Sequence, residues 1–222
     1  MPVSGLSESE PSTGEHGALL MLADSQLLFR PDVMPWVAEH FAGRYPRAAY
    51  IGAANANRPA YFELACAGLE SLVGQSVPTV FIREERDIPA YPADILVLAG
   101  GSVTAGWQFL RQESVRAWLD SVWRQPGSLA IGVSAGAIHL ARGCDPEVPE
   151  PQAQPYLGWL PHFLAVHEEQ QQWPSRLHWQ NGGRDGDFIG VHMGAGLWFD
   201  RHGRRWVGRI GERESGHDGN DG

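Results

Sequence analysis

Five short apolar runs, separated by helical patterns, constrain this chain more than any other feature. "GALLMLA" (17–23), "RAAYIGA" (47–53), "SVPTVFI" (76–82), "DILVLAGG" (94–101) and "LAIGV" (129–133) are each too short for a core helix and read as strands buried on both faces. The intervening "PDVMPWVAEHFAG", "PAYFELACAGLESLVG" and "TAGWQFLRQESVRAWLDSVWRQ" have amphipathic helical spacing, with Pro or Asp near starts and Gly near stops. Strand and helix alternating in this way predict an α/β three-layer sandwich, a mostly parallel sheet with helices on both faces. Residues 144–187 break the rhythm, being rich in Pro, Gln, Trp and His. After them "FIGVHMGAGLWFD" (188–200) and "RRWVGRI" (204–210) read as two short strands closing the sheet at an antiparallel edge. The polar ends, 1–16 and 211–222, bury too little apolar surface to offset their ordering entropy and read as loose tails around a single domain over 17–210.

Charge and composition exclude several function classes. A net charge of −9 disfavours nucleic-acid binding, which needs clustered cations to release counterions from the phosphate backbone. No apolar run approaches the roughly 20 residues of a membrane span, and the N-terminus lacks a basic stretch followed by an apolar one, so a soluble, unexported protein with no membrane partner is expected. Cys66 and Cys144 have neither metal nor redox spacing, which favours the cytoplasm and gives no reason to expect a metal. All 17 basic residues are arginine. Without lysine there is no Schiff-base chemistry, no Walker-type phosphate lysine and no Ser/Lys dyad, so a general base must be His, Asp, Glu or thiolate.

The chemistry-bearing stretch is "LAIGVSAGAIHLARG" (129–143), in which Gly132, Ser134 and Gly136 form GxSxG at the junction of a predicted strand and helix. With 27 Gly and 14 Ser in the chain, such a match arises by chance about once in five chains, so its setting matters more than the motif. A nucleophile on a strand-to-helix turn needs small neighbours, which Ala135 and Ala137 also supply, and the turn lifts Oγ above the carboxyl edge of the sheet. The competing reading makes Ser134 an ordinary helix cap. A serine in a lysine-free chain needs a histidine base and an acid to orient it. His162, His167 and His178 lie downstream, as do Asp145, Glu147, Glu150, Glu168 and Glu169. Spacing alone does not choose among them.

The ordered series "ADILVLAGGSVTAGWQFL", "LAIGVSAGAIHLARG", "PYLGWLPHFLAVHEEQ" and "FIGVHMGAGLWFD" resembles the peptidase E family of aspartyl dipeptidases, related to cyanophycinase. The resemblance spans about 46–210 and implies a class I glutamine amidotransferase-like, flavodoxin-like fold. It implies Ser134 as nucleophile, serine standing where amidotransferases carry cysteine, with the Gly101 and Ala135 amides as oxyanion donors. It further implies His167 as base, His162 falling too early, and Asp145 as the orienting acid with Glu147 second. Arg176, and more loosely Arg184, are the implied contacts to an acidic substrate side chain. Three departures weaken that last transfer: the family's "GNT" is Gly-Ser-Val here, its "DEG" is His192-Met193-Gly194, and its Arg-rich run shrinks to "PSRLHW".

The expected activity is therefore that of a serine peptidase cleaving short peptides, N-terminal Asp substrates among them, through a Ser-His-Asp triad and an acyl-enzyme. No cofactor is implied, and a monomer or homodimer is equally compatible. Two other readings stay open. One is a serine hydrolase of the α/β-hydrolase type, although 134 to 167 is a short span for that fold's nucleophile-to-histidine distance. The other is a catalytically silent binding or regulatory protein that kept the fold while its acid-recognition residues drifted.

Overall fold

A computed structural model describes residues 17–142, 156–176 and 188–208. The five apolar runs form strands β1 (Ala18–Leu22), β2 (Ala48–Ile51), β3 (Thr79–Ile82), β4 (Ile95–Leu98) and β5 (Leu129–Val133), all mutually parallel. They lie in the order β3-β2-β4-β5-β1, and β8 (Ala195–Asp200) and β9 (Gly203–Gly208) extend the sheet beyond β1 as antiparallel strands. Side chains alternate between two buried layers. Leu19 and Met21 of β1 and Leu96 and Leu98 of β4 enter one core, while Leu20, Leu22, Ile95 and Val97 enter the other. That two-sided burial is why the sequence shows continuous apolar runs instead of an alternating pattern.

Helices α1 (Met34–His40) and α2 (Pro59–Val73) cover one face, and α3 (Val103–Leu110), α4 (Glu113–Trp123) and α5 (Ala135–Leu140) the other. Proline opens both α1 and α2, where the missing N–H costs nothing, and Gly74 ends α2 at φ 75°, a conformation that favours glycine. The chain is thus an α/β three-layer fold with a mostly parallel sheet. Among the described residues, no helix is long and apolar enough to cross a membrane.

Three details depart from the expectation. The helical pattern at 104–125 breaks in two, because Gln112 adopts an extended backbone (φ −61°, ψ 138°) and starts α4 afresh. Residues 188–200 form two strands instead of one: β7 (Phe188–Val191) and β8 are separated by a turn at Gly194 (φ 75°) in which the Ala195 N–H donates to His192 O at 3.0 Å. Finally, β7 leaves the main sheet and pairs in parallel with β6 (Phe163–Val166), a strand inside the segment 144–187 that breaks the strand-helix rhythm. β6 was hidden because "FLAV" directly follows a Pro-His pair inside a stretch rich in Pro, Gln, Trp and His.

Strand order also locates the site. From β2 the chain crosses to β3 by α2 on one face, and from β4 it crosses to β5 by α3 and α4 on the other. The loops after β2 and β4 therefore diverge and leave a crevice at the carboxyl edge, the usual ligand position in open α/β sheets.

Candidate active site

Ser134 joins β5 to α5 with no residue to spare. Its backbone sits at φ 49°, ψ −110°, a costly region for any residue bearing a Cβ, with strain on the order of 1–3 kcal/mol. The conformation is held by its N–H donating to Leu22 O (2.8 Å) and its carbonyl accepting from the N–H groups of Ala137 (2.9 Å) and Ile138 (3.2 Å). Its hydroxyl makes no capping bond to α5. An ordinary N-cap has extended backbone and an oxygen on the second or third helical N–H, so Ser134 is not one.

Small residues make the turn sterically possible. A Cβ on Gly132 would lie 2.5 Å from Gly136 O and 2.6 Å from Ala137 N, and one on Gly136 would overlap the Leu98 carbonyl. The helix therefore starts directly against its own strand and against β4. Beside it runs the turn Ala99–Ser102, tied down by Ala99 N–H to Ile51 O (3.1 Å) and Ser102 N–H to Ala54 O (2.9 Å). Gly101 there has φ 136°, and a Cβ would overlap the Ala54 carbonyl. Gly100 lies so close to the elbow that a Cβ would be 3.3 Å from that of Ser134. The Ser102 hydroxyl caps α3 by accepting the Ala105 N–H at 3.2 Å. Buried His139 braces the same region from behind, its Nε2–H donating to Val103 O at 2.8 Å.

His167 follows β6 directly, at φ 63°, with its N–H on Val191 O at 3.4 Å. It lines the same cavity as Gly101 and Ser134, a space of about 610 Å³ at the carboxyl edge. Its Nδ1 is buried and has no hydrogen-bond partner among the described residues.

The remaining sequence candidates separate. Asp145, Glu147 and Arg184 lie outside the described residues. Arg176 is described, its N–H on Trp173 O at 2.9 Å, and is not among the residues lining the cavity. His162 packs edge-on to Phe199. Buried Glu168 spends its carboxylate on Ser175, accepting from its N–H at 3.0 Å and from its hydroxyl, so it braces the loop after β6. Glu169 accepts the Met193 N–H at 3.1 Å with one oxygen, while the other is buried without a partner among the described residues. Cys66 is half-buried, and burial pushes its thiol pKa up, the wrong direction for a nucleophile.

Motif reasoning missed Asp24 and Arg58, the other charged residues among those described that line the cavity with His167. Asp24 follows β1, its two oxygens accepting the N–H groups of Gln26 (2.9 Å) and Gly194 (3.1 Å). Arg58 immediately precedes α2. Neither sits in a recognisable motif; the signal available was position, since both follow the carboxyl ends of predicted strands.

Fold and site together define a three-layer α/β protein with a strained serine elbow at the carboxyl edge of its sheet, in a cavity shared with a histidine. No family model and no curated protein match the chain. Among solved structures, a peptidase from an acI-B1 Actinobacterium superposes with a TM-score of 0.64 at 15% identity, covering 88% of this chain and 89% of its own. A candidate peptidase E from Listeria monocytogenes EGD-e gives 0.55 at 15% identity, covering 88% and 100%. At this identity the likeness establishes a shared fold, that of peptidase E-like proteins.

Proposed function

We propose that this chain is a serine peptidase acting on short peptides, with Ser134 as nucleophile and His167 as general base. One observation carries the reading: Ser134 is held in a strained conformation that does not serve helix capping, and it opens into the same cavity as His167. Strain maintained by close packing and unused by the fold is what a presented nucleophile requires. The two structural neighbours bearing peptidase names lend the reaction class.

In this mechanism His167 removes the Oγ proton as the oxygen attacks the scissile carbonyl. The N–H groups of Gly101 and Ala135 receive the negative charge that develops on the carbonyl oxygen. Ala135 suits this role because the first residue of a helix has no intrahelical acceptor for its N–H. His167 then protonates the leaving amine, and water, deprotonated by the same imidazole, releases the acyl group and restores Oγ–H. The unpartnered Nδ1 of His167 is where an orienting carboxylate belongs, and Asp145, then Glu147, are the proposed donors of it.

A fluorophosphonate probe tests the reading. Covalent labelling of the wild type that disappears in Ser134→Ala supports it. A folded sample that resists labelling overturns it in favour of the catalytically silent binding protein.

A further inference from the structure

The cavity that opens at Ser134 continues between β4, α2 and the turn at Ser25–Phe29, and its inner wall is apolar. Leu28, Tyr50, Ala65, Val97 and Ala99 form that wall, none more than 4% exposed. The Tyr50 hydroxyl accepts the Asn55 amide N–H at 2.8 Å, and burial pushes its pKa up, so it stays neutral. Besides His167, two ionisable side chains among the described residues line it: Asp24 has both oxygens engaged by backbone N–H groups, and Arg58 is exposed. A carboxylate pushed to the inner wall would be desolvated without a cation, an unfavourable transfer, whereas an aliphatic or aromatic group would replace water on apolar surface.

From this we propose, resting on Ser134 as nucleophile, that the enzyme selects an acyl residue with a bulky apolar side chain. The acyl carbon is the substrate atom bonded to Oγ in the intermediate, so the side chain borne by the adjoining Cα is the part that a cavity opening at Ser134 receives. At about 610 Å³ the space lies within the usual range of small-molecule sites and holds a leucyl or phenylalanyl group with its backbone. The substrate class differs from the acidic one that the family resemblance implies, and the reason is that no cation lies on the inner wall among the described residues.

The test is hydrolysis of leucyl, phenylalanyl, alanyl and aspartyl p-nitroanilides by the full chain, with fluorophosphonate labelling alongside. We expect kcat/KM for the leucyl or phenylalanyl substrate to exceed the alanyl one about 10-fold or more, the step that a few methylenes in an apolar pocket supply, with the aspartyl substrate last. Ala65→Leu, which fills the wall, reverses the leucyl-to-alanyl order; if that variant fails to fold, the wild-type panel alone decides. Labelling at Ser134 with a flat panel, an aspartyl preference that vanishes in Arg58→Ala, or no hydrolysis of the apolar substrates overturns this inference and leaves the nucleophile standing. Absence of labelling in folded protein removes both.

Discussion

At Ser134, φ of 49° and ψ of −110° are tolerated because four neighbours lack anything larger than a methyl group. The same economy governs Gly101, where left-handed backbone and the Ala54 carbonyl both exclude a side chain. Gly101→Ala is therefore expected to lower stability by at least about 1 kcal/mol in urea unfolding. Alanine keeps the N–H, so if Gly101 is an oxyanion donor, kcat of the folded fraction falls only as far as the new Cβ displaces that N–H, by up to about 100-fold. A variant as stable as wild type would contradict the crowding at this turn. His40 illustrates a residue whose environment sets a pH dependence. It packs against Phe41 and Trp198, with Nε2 at 2.9 Å from Gly127 O, and burial, reinforced by Arg44, holds its pKa below the usual 6.5. The unfolded chain thus binds a proton that the folded chain resists, so the stability His40 contributes is complete above about pH 6.5 and is lost as pH falls toward its folded value. Tm measured from pH 7.5 to 5.5 should drop more steeply for wild type than for His40→Gln, in which nothing titrates at that position.

At the scale of elements, the hairpin β8–β9 depends on one carboxylate. Asp200 accepts the Trp198 indole N–H at 2.7 Å, the His202 N–H at 2.8 Å and Arg205 at 3.0 Å. Burial works to raise its pKa, and these donors together outweigh burial and hold it low. Trp198 is 1% exposed, so Asp200→Ala strands a buried indole N–H and is expected to cost about 1–3 kcal/mol, read as a lower midpoint in urea. An unchanged midpoint would show that water reaches the indole. The pattern of the five parallel strands was legible in the sequence because strands covered on both faces must be apolar throughout. The boundary between β7 and β8 was not, since a turn at Gly194 held by Asp24, 170 residues away, has no local signature. Nor was β6, whose pairing with β7 is what gives four apolar residues a strand's hydrogen bonds.

Over the whole molecule, Ser134 and His167 line one cavity although they follow strands of two different sheets, β5 and β6. Reactivity toward a fluorophosphonate should therefore disappear in urea together with tryptophan fluorescence, as one transition; labelling that persists past the fluorescence midpoint would mean that the site does not need the assembled fold. Sequence by itself determined the three-layer α/β class, the strand-to-helix position of Ser134 and the absence of any lysine base, all properties of local pattern or composition. Only the tertiary structure decided that Ser134 is strained and not a cap, that His167 shares its cavity while Arg176 does not line it, and that the inner wall is apolar beside Asp24 and Arg58. Those features arise where β2, β4 and β5 end side by side although 51, 98 and 133 are far apart in the chain, and periodicity carries information about a residue's own element, not about which distant element it faces.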